Sequence, residues 1–175
     1  MIEETEMLDV VDSNNILIRT ISRDEWYGGE NEKNPNEFIR YVDIFIFNKE
    51  GKLLVPIRSM NKKLSPGCYD YSCGEHVTAG ESFDSAAKRG IKEELGLTNT
   101  DLQKCRLMRP EEISVKGFSV AYIGIIEDES LIRTNEEVER FEWWDIKDIY
   151  DVVLSYPEKF KTSYKKTFEM CLLEK

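Results

Sequence analysis

Residues 75–97 read EHVTAGESFDSAAKRGIKEELGL, and this stretch decides how the rest of the chain is interpreted. Apolar residues recur in it every four positions, at Phe83, Ala87, Ile91 and Leu95. This spacing is typical of one buried face of an amphipathic helix. Ser82 suits the N-cap of such a helix, and Gly96 suits the residue just after its end. The stretch therefore predicts a loop followed by a helix.

Two adjacent carboxylates, Glu93 and Glu94, lie near the end of this predicted helix. Carboxylate oxygens are the ligands that Mg²⁺ and similar hard cations prefer in proteins. An acidic pair on a helix is more often a solvated surface, so the pair alone does not establish a metal site. The residues around the pair decide between these two interpretations.

The whole stretch resembles the Nudix box, a loop-helix-loop signature that reads G-x5-E-x7-R-E-U-x-E-E-x-G-U, where U is a bulky aliphatic residue. Seven positions fit at the right spacing: Glu81, Arg89, Ile91, Glu93, Glu94, Gly96 and Leu97. Two positions depart from the pattern. The opening Gly is replaced by Glu75, and the Glu that follows the Arg is replaced by Gly90. Within this spacing, the metal-site interpretation of the acidic pair is favoured.

The resemblance implies a hydrolase (a pyrophosphohydrolase) that cleaves a nucleoside diphosphate linked to another moiety. It implies Mg²⁺ or Mn²⁺ as cofactor, with Glu93 and Glu94 as metal ligands and catalytic residues. It implies that Arg89 and Glu81 pair with each other and brace the loop onto the helix, without touching the substrate. The fold it implies is α/β, a Nudix-type α/β/α sandwich with a mixed β-sheet.

The two departures leave the activity open between three alternatives. Gly90 removes a carboxylate and costs a helix interior about 1 kcal/mol relative to Ala, so one alternative is a weakened hydrolase or a non-catalytic binding module. In the second, Glu75 compensates as a metal ligand, because the family's loop backbone approaches the metal near this position. In the third, Glu75 points to solvent.

Further candidate site residues lie outside the box. In the family, another acidic ligand often follows it, and Glu111 and Glu112 are candidates, with residues 136–139 as a more solvated alternative. Arg58 is a candidate phosphate contact, or else a solvated loop cation.

The stretch over residues 64–77, LSPGCYDYSCGEHV, is also similar to isopentenyl-diphosphate isomerase, which shares the fold. That enzyme needs a catalytic Cys where this chain has Gly74, with Cys73 one residue away. It uses several His ligands, whereas this chain has one His. Its two downstream carboxylates align best with Val115 and Gly117. Isomerase activity is therefore the least favoured alternative.

The bulk composition limits the kinds of partner and the cellular location that we expect for this protein. The net charge is −10, which disfavours binding to nucleic acid polymers. There is no apolar window of 18 residues and no basic-then-apolar leader, so we expect no membrane span and no signal peptide. The four cysteines contain no C-x2-C pair, which favours reduced thiols and a cytoplasmic protein. The expected partner is a small-molecule diphosphate, and the sequence gives no oligomeric state.

We expect one domain over residues 1–175, with an N-terminal hairpin and loop at residues 1–37 and the box at residues 75–97. The hairpin is predicted from aliphatic runs at residues 8–12 and 16–21, and residues 22–37 are predicted to be mostly loop. Further strands are predicted at residues 41–47, 52–58, 69–73, 102–113 and 118–126, and closing helices at residues 145–154 and 157–173. Pro56 indicates a sheet edge or a bulge within its strand.

Overall fold

The computed structural model describes residues 5–29, 34–62 and 64–173. An antiparallel hairpin, β1 (Met7–Val11) and β2 (Leu17–Ser22), confirms the first predicted element. Asp12 closes its turn, because the Asp12 carboxylate accepts hydrogen bonds from the amides of Asn14 and Ile16. The hairpin carries the fully buried Leu8 and Val10, so it contributes to the core.

A short helix, α1 (Arg23–Gly28), follows the hairpin directly, so the prediction of loop across residues 22–37 is wrong at this point. The Ser22 side chain accepts a hydrogen bond from the Glu25 amide, which is an ordinary N-cap. Trp26 is fully buried against Leu8 and Ile39. Burial of this indole supplies stability that the polar, Gly-rich local sequence does not indicate.

Six strands form the main sheet in the order β6-β7-β3-β4-β8, with β5 added beside β3. Their bounds are β3 Ile39–Asn48, β4 Leu53–Arg58, β5 Cys73–His76, β6 Leu102–Met108, β7 Gly117–Ile126 and β8 Val138–Trp144. β3 and β7 are parallel along their full lengths, and the other pairs are antiparallel. The predicted mixed sheet is therefore confirmed.

The sheet splits beside β3. β4 pairs with β3 only at Phe47 and Leu53, and β5 then takes its place beside β3. Pro56 lies in the part of β4 that no longer pairs with β3, so the missing N–H group of Pro56 leaves no hydrogen bond to β3 unformed. The register of β4 against β8 shifts between Ile57 and Arg58. The prediction of an edge or bulge at Pro56 is confirmed. The split leaves β5 beside β3 at the N-terminal part of the box.

Helices cover both faces of the sheet. On one face α2 (Phe83–Leu95) buries Ala87, Ile91 and Leu95 against Ile44 and Val120. On the other face the helices are α3 (Pro110–Ile113), α4 (Ile146–Ser155) and α5 (Tyr164–Phe168), and the α4 and α5 side chains pack around Phe45. The α/β/α arrangement is confirmed. None of the helices in the described part of the chain is long and apolar enough to cross a membrane.

Three predicted boundaries are corrected. The strand at residues 102–113 ends at Met108, because Pro110 begins α3. The strand before the box begins at Cys73, where we expected it to end. The predicted helix at residues 157–173 is divided into a 3-10 turn, α5 and a π-helical end, because Lys161 leaves the helical path to hydrogen-bond the Tyr69 carbonyl.

Candidate active site

The box helix has the limits that the sequence predicts. The Ser82 hydroxyl accepts a hydrogen bond from the Ser85 amide at 3.1 Å, so Ser82 is the N-cap. Gly96 has a φ of 70°, in the left-handed region that favours glycine, and its amide donates to the Lys92 carbonyl at 3.1 Å. These two ends fix where the carboxylates near the end of α2 lie.

The predicted pairing of Arg89 with Glu81 is present. The Nε and Nη2 atoms of Arg89 each donate to one Glu81 oxygen at 3.1 Å, which is a two-point contact. Arg89 Nη2 also donates to the His76 carbonyl at 2.8 Å, tying α2 to β5. Burial opposes ionisation of Glu81, but hydrogen bonds from Arg89 and Thr78 outweigh it and lower the pKa of the Glu81 carboxyl.

Replacing Arg89 by Ala is expected to lower the melting temperature by roughly 5–10 °C, since breaking a largely buried charged pair costs about 2–3 kcal/mol. Metal affinity should change by less than about tenfold, because Arg89 repels a cation and donates no ligand. Thermal unfolding and metal titration of the variant check both values. Arg106→Ala, which breaks the more exposed Arg106–Glu112 pair, is the control and should have little effect. The opposite ordering, with metal affinity more affected than stability, would contradict the bracing role.

Glu75 and Gly90 fit together across the β5–α2 contact. A Cβ atom added at Gly90 would lie 2.6 Å from Glu75 Cγ and 2.9 Å from the sulfur of Cys73. Real Cβ contacts of this length do not occur, so the Glu75 side chain fills the space that a residue-90 side chain would need. This packing explains a glycine in the interior of α2 despite its helix cost.

The Glu75 carboxyl reaches Glu94 from this position. The two carboxyl groups are in hydrogen-bond contact, Glu75 from β5 and Glu94 from the last turn of α2. Burial, followed by the charge of Glu75, raises the pKa of Glu94 well above its usual value. Burial also raises the pKa of Glu75, although the charge of Arg89, whose Nη1 lies 3.3 Å from it, opposes this. Such a pair is stable only with a proton or a cation between its oxygens.

Glu93 lies apart from this pair. Its side chain is 57% exposed, and within the described part of the chain its one ion pair is with Arg89, one helical turn earlier, at 3.3 Å. Adjacent residues on a helix point in different directions, so Glu93 lies at the rim while Glu94 turns inward. In residues 5–29, 34–62 and 64–173, no three His, Cys, Asp or Glu side chains form a cluster that could hold a metal ion by themselves.

The structure does not favour Glu111 and Glu112 as further ligands. The Glu112 carboxylate accepts hydrogen bonds from Arg106 at 2.8 Å and from the Arg109 amide at 2.7 Å. Both residues belong to α3, which packs on α5 and β7, whereas α2 packs on β5 and β3. The charge of Glu137, which begins the approach to β8, acts on Glu94 instead.

Arg58, the predicted phosphate contact, is held by other partners. Its Nη1 lies 2.6 Å from Asp70, and its Nε and Nη2 atoms both donate to the Leu64 carbonyl. The guanidinium thus ties β4 to the following loop. The position of Arg58 before the box suggested a phosphate contact. The spacing did not show that the Asp70 carboxylate and the Leu64 carbonyl would already bind its guanidinium.

The positions that correspond to isomerase groups have different surroundings here. A side chain at Gly74 would come within 3.3 Å of Lys161 Nζ and 3.9 Å of an Asp43 oxygen. A side chain at Gly117 would overlap the Tyr41 ring, at 2.3 Å. His76 donates to or accepts from the Tyr27 hydroxyl at 2.8 Å, and burial, together with nearby cations, lowers its pKa to about 3.

Sequence reasoning missed Asp43 and Lys161. Asp43 is buried and accepts a hydrogen bond from the Ser119 hydroxyl at 2.5 Å. Burial raises the pKa of Asp43 to about 6, against the opposing charge of Lys161. A lone Asp inside the apolar run of residues 41–47 was an available signal, because a buried charge needs partners. No local signal marked Lys161.

Comparison with known proteins gives one consistent result. The family model described as NUDIX domain matches residues 37–169. The chain is 32% identical to an uncharacterized Nudix hydrolase of Nostoc over 81% of this chain and 82% of that protein. It is 32% identical to an isopentenyl-diphosphate Delta-isomerase of Serratia proteamaculans over 69% of each chain. The crystal structure of DR0079 from Deinococcus radiodurans superimposes with a TM-score of 0.81 at 22% identity, covering 95% of this chain and 99% of that one.

Proposed function

This chain belongs to the Nudix family, and from that premise we propose that it hydrolyses a diphosphate bond in a nucleoside diphosphate linked to another moiety. The observation that carries the proposal is the contact between Glu75 and Glu94 above Gly90. The carboxylate that is absent from α2 is supplied from β5, and it reaches the same helix turn.

The residues present fit a hard divalent cation. Glu75 and Glu94 offer closely spaced carboxylate oxygens that are largely shielded from solvent, and Glu137 adds negative charge nearby. Mg²⁺ commonly binds through one or two carboxylates and keeps several waters, so a two-carboxylate site is sufficient. When bound, Mg²⁺ or Mn²⁺ would supply neutralisation of the charge on the phosphoryl oxygens.

We assign different roles to the side chains around the carboxylate pair. Arg89 holds Glu75 and Glu81 in place, so the carboxylates at the helix end are oriented before substrate arrives. Glu93 at the rim can accept a proton from a water molecule that attacks phosphorus. The Cys73 thiol contacts Glu94, and burial followed by the charges of Glu94 and Glu75 raises its pKa. Cys73 therefore remains a neutral thiol and is unsuited to act as a nucleophile.

Two other functions are less well supported. The similarity to isomerases is countered by three positions that need a reactive side chain and here are Gly74, Val115 and Gly117. At Gly117 the space for a side chain is occupied by the Tyr41 ring. A non-catalytic binding module would need no metal. The Glu75–Glu94 pair argues against it, since two facing carboxylates are costly to bury without a proton or cation.

A substrate screen with chromatographic detection of products tests the proposal, because cleavage of the diphosphate bond yields two phosphomonoesters and no free phosphate. The purified protein is incubated with nucleotide sugars, dinucleotides, nucleoside triphosphates and prenyl diphosphates, each with Mg²⁺, Mn²⁺ or EDTA. We expect turnover of at least one nucleoside diphosphate derivative, with metal only. Absence of turnover of every substrate, with or without metal, would indicate the binding module. Deuterium exchange into isopentenyl diphosphate above that of a Cys73→Ser control would indicate the isomerase.

A further inference from the structure

The diphosphate of the proposed substrate carries negative charge that must be neutralised by cationic side chains of the protein as well as by the metal ion. Four cationic side chains lie around β5 and the residues that face it: Arg58, Lys62, Arg89 and Lys161. Three of them already have close partners. Arg58 is bound by Asp70, Lys62 by Glu137 at 2.6 Å, and Arg89 by Glu81.

Lys161 differs from the other three cations. Its closest acidic atom is an Asp70 oxygen at 3.7 Å, beyond hydrogen-bond distance, and its Nζ lies 5.5 Å from the centre of the Tyr71 ring. Among the residues that the structure describes, none accepts a hydrogen bond from this Nζ. The side chain is half-buried, and its three donors are unused.

The backbone holds Lys161 beside β5, the strand that carries Glu75. Its amide donates to the Tyr69 carbonyl at 3.0 Å, which directs the side chain along residues 69–74. Nζ then lies 3.3 Å from the point where a Gly74 Cβ would be. The charge of Glu94 acts on the Lys161 ammonium, although Glu75 and the site of a Gly74 side chain lie on opposite faces of β5. A side chain at Gly74 would crowd the ammonium, so the glycine leaves it room.

We propose that Lys161 is a phosphate-binding residue of the active site, whose ammonium donates hydrogen bonds to non-bridging oxygens of the substrate diphosphate. This inference rests on the proposed function, since it assigns a contact within the same site. Burial lowers the pKa of Lys161, but the charges of Asp70 and Asp43 outweigh it and raise that pKa. Lys161 is therefore fully charged at neutral pH, as a phosphate contact requires.

Lys161→Met is the first test, with Lys159→Met as the matched control, because Lys159 is exposed in the same segment and stacks on Tyr156. We expect KM for the diphosphate substrate to rise about 10- to 100-fold, as expected for loss of a charge-assisted hydrogen bond. Mg²⁺ affinity without substrate should change little, and Lys161→Arg should restore part of the loss. An unchanged KM in a folded Lys161→Met protein would overturn the inference.

A second measurement needs neither a variant nor turnover. Lysine side chains of the natural protein are reductively methylated with formaldehyde, with and without inorganic pyrophosphate and Mg²⁺, and quantified by mass spectrometry. We expect pyrophosphate to protect Lys161 and to leave Lys159 labelled. Equal labelling of Lys161 in both samples, at saturating pyrophosphate, overturns the inference. Protection of Lys161 in a protein that hydrolyses no substrate would refute the proposed hydrolysis and keep the phosphate contact.

Discussion

Gly90→Glu is expected to destabilise the metal-free protein, and Glu75→Gly introduced into the same chain is expected to rescue it. The sequence alone predicts the opposite for the single change, because replacing a mid-helix glycine should gain about 1 kcal/mol. The structure corrects this expectation, since the new Cβ would lie 2.6 Å from Glu75 Cγ. Overpacking costs about 1–3 kcal/mol, and a third carboxylate beside Glu75 and Glu94 adds repulsion.

Thermal unfolding in EDTA measures this effect. We expect Gly90→Glu to lower the melting temperature by roughly 2–8 °C, and the double variant to lie within about 3 °C of the natural protein. Glu75→Gly alone should weaken Mg²⁺ binding, because the site loses one of its two facing carboxylates. In the Gly90→Glu background the same change should be tolerated, since the carboxylate then comes from α2.

The double-mutant cycle decides whether Glu75 replaces the missing helix carboxylate. A coupling energy of at least about 1 kcal/mol, in both stability and metal affinity, is expected for residues that compete for one space. Additive effects on metal affinity would show that Glu75 is not a ligand. Turnover by the natural protein would then have to come from Glu93 and Glu94 alone.

Glu94→Gln is expected to reduce kcat/KM by more than about 100-fold. Loss of residues that only support a metal ligand costs about 10- to 100-fold, and loss of the ligand's own charge should cost more. The substitution keeps the volume of the side chain, so its effect on folding is small. Steady-state kinetics at saturating Mg²⁺, with metal affinity measured by titration, checks this value.

Glu93→Gln is the matched control for this substitution. The structure separates the two adjacent carboxylates, since Glu93 is exposed and pairs with Arg89. We expect Glu93→Gln to lower kcat while leaving Mg²⁺ affinity within about tenfold, because Glu93 is outside the buried pair. Glu137→Gln should weaken Mg²⁺ affinity more than Glu112→Gln, because the charge of Glu137 acts on Glu94, whereas Glu112 belongs to α3, which packs on α5 and β7. Equal effects of Glu93→Gln and Glu94→Gln on metal affinity would contradict the assignment of metal binding to Glu94 and not to Glu93.

Much of the fold could be predicted from local sequence patterns. The four-residue apolar repeat, Ser82 and Gly96 determine α2, and the alternation of strands with turns determines most of the sheet. The pairing of Arg89 with Glu81 was predicted from the resemblance to the Nudix box, and the structure contains it. The predictions failed where stability came from distant contacts, as at α1, where Trp26 is buried, and at Lys161, where Tyr69 interrupts a helix.

The division of roles within the site was decided only by the tertiary structure. Sequence places Glu75 and Gly90 fifteen residues apart, and nothing local indicates that the side chain of one fills the space left by the other. Likewise, Arg58 and Lys161 are both cations in the sequence, but Asp70 and Leu64 engage the first and leave the second with unused donors. Periodicity reports which face of an element is buried, because that depends on neighbours along the chain. Which polar groups meet depends on strands and helices that pack from separate parts of the chain, and short-range patterns carry no information about that packing.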